Sequence, residues 1–75
     1  MIITIQQTDD IDKDLDTLGT VLNTLECFPG NEELRLKIVD QWYEITLLAL
    51  PQKVDSENVD LIELLFGIEN IGVEL

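Results

Sequence analysis

Histidine is absent from this chain, cysteine occurs once, and only Lys13, Arg35, Lys37 and Lys53 carry positive side-chain charge. Each shortage closes off a class of chemistry. Without imidazole there is no histidine ligand for zinc and no proton carrier tuned near neutral pH. A single cysteine rules out an internal disulfide. Cys27, beside Phe28 at the end of a helical stripe, is expected to be a buried apolar thiol. Sixteen Asp and Glu outweigh the four cations and leave a net charge of -12. Phosphate is repelled by such a surface, so direct nucleic-acid binding is not expected, whereas a basic protein partner would be attracted.

Long apolar runs are also missing. The longest uncharged apolar stretch, ITLLAL at residues 45–50, falls far short of the roughly 20 residues that cross a bilayer as a helix. Met1 leads into IITI without a basic segment, so no secretory signal is read and the expected compartment is the cytoplasm. Four scattered glycines, Gly19, Gly30, Gly67 and Gly72, fit neither phosphate-cradling motif. No set of residues here announces a reaction. The chain is expected to be neither an enzyme nor a cofactor carrier.

What remains is 45% hydrophobic residues spread over the whole length, which argues for a folded chain despite the charge. Residues 1–75 make one small domain with a thin core. MIITIQ opens it as a β-branched strand, with Ile3 and Ile5 on one face and Ile2 and Thr4 on the other. Thr8 and Asp9-Asp10 then signal a helix start. Ile11, Leu15, Leu18, Leu22, Leu25 and Phe28 continue as one apolar stripe expected to face the core.

Pro29 should stop that helix, and Gly30 with Asn31 should reverse the chain through positive φ. From Glu33 the period becomes two, with Leu34, Leu36 and Ile38 inward and Glu33, Arg35 and Lys37 outward. A two-residue break at Asp40-Gln41 predicts an antiparallel hairpin into WYEITLLAL, with Tyr43, Ile45, Leu47 and Ala49 on the inner face and Pro51 ending the strand. A second helix should start with Asp55 or Ser56 as its cap, bury Val59, Ile62, Leu65 and Phe66, and stop at Gly67. Ile71, Val73 and Leu75 are read as the inward positions of a last short strand.

The order β-α-β-β-α-β predicts an α+β domain of the ferredoxin-like, split βαβ kind, a four-stranded sheet with both helices on one face. The first and third strands, apolar on both sides, are expected at the centre. The opposite sheet face is then open. Trp42, Leu48 and Leu50 would share it with Arg35 and Lys37, and these five are the candidate partner-binding residues. Self-association through this face is a second use for it.

Asp10, Asp12, Asp14 and Asp16 alternate as ligands do in a calcium loop, but the sixth and twelfth positions of such a loop fall on Leu15 and Val21. A loop of that type requires glycine and glutamate there. The run reads instead as a solvated helix start, and no metal site is expected.

The segment IITIQQTDDIDKDLDTLGTVLNTLECFPGNEELRLKI resembles the extreme C-terminal tail of bacterial DNA polymerase III alpha subunits, especially cyanobacterial- and Chloroflexi-like ones. The resemblance is carried by Thr8, Asp10, Asp14, Leu18, Leu22 and the corner Phe28-Pro29-Gly30. It continues in Leu65-Phe66-Gly67 and in Glu69, Asn70, Ile71, Val73 and Glu74. Trp42-Tyr43 departs from it, standing where a glycine-containing turn is common, and so does Phe66 before the glycine. The resemblance implies a non-catalytic tail that docks to the tau subunit of the clamp loader or to neighbouring polymerase domains. The alternative expectation is a stand-alone acidic protein that mimics DNA charge and sequesters a basic partner.

Overall fold

The β-branched opening forms β1, Ile2–Gln6, in a computed structural model that describes every residue from Met1 to Leu75. Ile3 and Ile5 are buried and Ile2 and Thr4 half-buried, the alternation the sequence predicts. Helix α1 follows as Ile11–Glu26, with Asp10 as its cap. The Asp10 carboxylate accepts from the amides of Asp12 (3.1 Å) and Lys13 (3.2 Å), which lack partners within the helix. Asp14 reaches back to take the Thr8 amide at 3.0 Å and the Thr8 hydroxyl at 2.8 Å. Two members of the aspartate run are therefore occupied in starting the helix, while Asp12 and Asp16 face water.

The helix ends at Glu26, one turn before Pro29, and Cys27 caps it in helical geometry. There the thiol is exposed, not buried as expected, because position 27 falls on the flank opposite the buried Val21 and Leu25. Strand β2 then runs Pro29–Val39. Gly30 does not reverse the chain, and no glycine has positive φ. Its role is one of space. A Cβ at Gly30 would run into the Asp55 amide nitrogen and lie 2.5 Å from the Val54 carbonyl carbon. The glycine lets strand β3 cross the start of β2 at backbone contact.

Strand β3 spans Ile45–Val54, α2 Val59–Phe66 and β4 Ile71–Glu74. Asn58, not Asp55 or Ser56, caps α2 by accepting from Asp60 N at 2.9 Å and Leu61 N at 3.4 Å. Gly67 closes α2 as expected, though in helical conformation; Asn70 supplies the positive φ (62°) before β4. Pro51 does not end β3. It sits where the register slips between Leu34↔Leu50 and Glu33↔Lys53, an irregularity that an edge strand tolerates.

The α+β class, the β-α-β-β-α-β order and the four-stranded sheet under two helices are as the sequence predicts. The strand order is a correction. The sheet reads β3-β2-β1-β4, so β1 and β2 are the central pair, adjacent and parallel, and β3 is an edge. Helix α1 returns the chain directly beside β1, and no strand lies between β1 and β2. That β3 is apolar on both faces does not place it at the centre.

Ten side chains are buried: Met1, Ile3 and Ile5 of the first segment, Leu34 and Leu36 of β2, Val54, and Val21, Leu25, Leu61 and Leu65 of the helices. Val59, Phe66 and Leu75, read as inward, are exposed instead. In α2 it is Leu61 and Leu65, four residues apart, that face the sheet.

Candidate protein-docking surface

Above Leu36 the hairpin rises out of the core. No side chain from Lys37 to Lys53 is fully buried, and the molecule is drawn out to 33 × 20 × 17 Å. The hairpin loop explains how its two faces are composed. The pair Val39↔Ile45 closes a five-residue loop, Asp40–Glu44, in place of the two-residue turn expected. One aspartate builds it. The Asp40 carboxylate accepts from the amides of Trp42 at 2.8 Å and Glu44 at 2.9 Å, while its carbonyl accepts from Tyr43 at 3.1 Å. Tyr43 adopts φ 64°, and Trp42 and Tyr43 stand 77% and 81% exposed at the tip.

The longer loop changes the pairing by an odd number of residues, and an odd change exchanges the faces of β3. Leu48 lies opposite Leu36 and Leu50 opposite Leu34, on the side of the helices. Leu50 packs against the core, while Leu48 remains 44% exposed. On the open side Ala49, Leu47 and Ile45 pair with Arg35, Lys37 and Val39. The five candidate residues are thus divided. Arg35 and Lys37 share the open face with Ile45 and Leu47, which had been read as core; Leu48 and Leu50 are on the other face; Trp42 is at the tip.

A second exposed region had been read as core. Ile11 is 72% and Leu15 59% exposed, although Leu18 and Leu22 of the same stripe are half-buried. With Leu18, Ile5 and Ile38 they line a shallow apolar groove of about 160 Å³, which also touches Gln7 and Asp14. For the hairpin the ambiguity lay in charge spacing. No charged residue marks an outer face between Ile45 and Leu50, so nothing in that run says which side is wet.

Charge differs between the two sides. Arg35 and Lys37 on the open face make no ion pair within 4.0 Å; the pairs present are Met1 N-terminus with Glu32 at 3.1 Å and Lys13 with Glu69 at 3.6 Å. On the groove side Asp14 lines the groove with its carboxylate held by Thr8, and Asp12 and Asp16, next in sequence to Ile11 and Leu15, are exposed. Apolar strips flanked by charge suit recognition of another protein surface better than turnover of a small molecule.

No protein-family model, curated protein or solved structure matches this chain. No helix is long and apolar enough to cross a membrane.

Proposed function

We propose that this chain is a non-catalytic docking module of the replication machinery, equivalent to the tail of a polymerase III alpha subunit, holding its polymerase to the clamp-loader tau subunit in the cytoplasm. One observation carries the docking part: Ile11, Leu15, Trp42, Tyr43, Ile45, Leu47 and Leu48 are all exposed in a domain with only ten buried residues. That much apolar surface at one end of so small a core is typical of a contact site. The sequence resemblance supplies the choice of partner.

Calorimetric titration against tau tests the reading. A saturable heat is expected, and Trp42→Ala should weaken it by about 2 kcal/mol if the tip is central to the contact. Neither heat nor a spectral change at high micromolar concentration would remove tau as the partner. The charge-mimic reading has the net charge of -12 in its favour. It is separated by salt, because binding through charge alone falls steeply as salt is raised and docking through apolar surface does not.

A further inference from the structure

We infer that the groove between the first half of α1 and the upper ends of β1 and β2, at Ile5 and Ile38, seats a cationic amphipathic helix of a partner protein. This rests on the docking role above and specifies the chemistry of what docks. Three observations point to it. The first is a gap in the helix layer. A sheet buries its apolar face under helices, yet Leu48, on the helix side of β3, is left 44% exposed and Ile38 half-exposed. The second is the shape of the wall. Ile11 and Leu15 are one helical turn apart on α1, forming a ridge of the spacing that interlocks with another helix.

The third observation is charge, which selects the occupant. Asp12 and Asp16 follow on the outer flank of the same ridge, Asp9 and Asp10 precede it, and Glu44 stands exposed in the hairpin loop. Lys13, on the other flank of α1, is turned to Glu69 at 3.6 Å. A second copy of the chain would bring the same carboxylates against each other. A helix with leucines along one side and lysines along its margins satisfies both parts of the site, because lysine stems extend apolar cover while their ammonium groups reach the rim.

The test uses a synthetic peptide of about twenty residues, long enough to form helix on contact, with leucine at helical spacing and lysine elsewhere. Its control has the same composition in scrambled order. Amide resonances of the intact domain should shift around Ile11, Leu15, Ile38 and Leu48, with the patterned peptide binding about tenfold tighter than the scrambled one. Leu15→Asp should abolish that preference, and Val59→Asp, at an exposed apolar site on α2 outside the groove lining, should leave it. Equal binding of the two peptides, shifts confined to the Arg35–Lys37 face, or a dimer in sedimentation that Leu15→Asp dissolves would each overturn the inference. Should Leu15→Asp fail to fold, the resonance map of the unaltered chain still decides. The same variants titrated with tau keep the two readings apart. Tau binding indifferent to Leu15→Asp overturns the groove and leaves the docking role standing; a peptide seated in the groove without tau binding does the reverse.

Discussion

At the base of the molecule, where Leu34, Val54, Leu25, Leu61 and Leu65 meet, both helices and strands β2 and β3 each contribute a side chain that is at most 1% exposed. At the opposite end, the first two turns of α1 and the hairpin carry equally apolar residues, and almost none is covered. The amino acids hardly differ between the two ends; their surroundings do. Hydrophobicity states what a side chain would gain by burial, at about 25 cal/mol per Å², and not whether the chain itself supplies the cover. In a 75-residue domain the sheet can outgrow the two helices that roof it.

The largest effect should come from testing this contrast within one helix. Leu25→Ala removes a fully buried side chain and should cost about 2–5 kcal/mol in thermal or denaturant unfolding. Leu15→Ala, in the same stripe, should stay within about 0.5 kcal/mol, as exposed substitutions do. Comparable losses at both positions would mean that the upper end is packed after all.

A smaller effect is expected at Gly30, where β2 and β3 touch at the base. Gly30→Ala places a methyl group against the backbone of Val54 and Asp55, and the displacement should cost about 1–3 kcal/mol. Gly19→Ala, which meets nothing within 4 Å on α1, should instead stabilise by up to about 1 kcal/mol through helix propensity. Denaturant midpoints that move the same way for both would break the distinction between a crowded base and an open helix surface.

The hairpin sequence shows what could be read in advance and what could not. In β2 the alternation of Glu33, Arg35 and Lys37 with Leu34, Leu36 and Ile38 fixed the faces correctly, because charge marked the wet side. Strand β3 has no such marker before Lys53, so its faces depended on the loop length, which is set by the local hydrogen bonds of Asp40 to Trp42, Tyr43 and Glu44. The stripe of α1 identified the apolar flank of the helix but could not tell how far the sheet beneath it extends. Gly30 was noticed for the wrong reason, since its crowding comes from Val54 and Asp55, distant in sequence. Of the candidate site, Trp42 and Arg35 were legible as exposed groups and Lys37 as a residue of the open face; Ile11, Leu15, Ile45 and Leu47 were hidden by looking like core.

The smallest effect is expected at the tip. Tyr43 holds φ 64°, a conformation costing an ordinary side chain about 1–2 kcal/mol. Tyr43→Gly should therefore raise stability by up to about 1 kcal/mol in thermal melts, there being no buried contact to lose. If it also weakens tau binding, the strain is retained for the aromatic group it presents. Stability gained with binding unchanged would leave Tyr43 outside the contact.

Because β4 runs antiparallel beside β1, with Ile2 opposite Glu74, the two ends of the described chain leave the sheet at one corner. Tension applied between them would open the β1–β4 ladder one rung at a time, like a zipper. Tension between either end and the hairpin tip would load the parallel β1–β2 ladder along its length, so that many hydrogen bonds must yield together. Single-molecule pulling should accordingly record a low unfolding force in the first geometry and a higher one in the second. A chain held by an end and grasped near Trp42 would be loaded in its stronger direction.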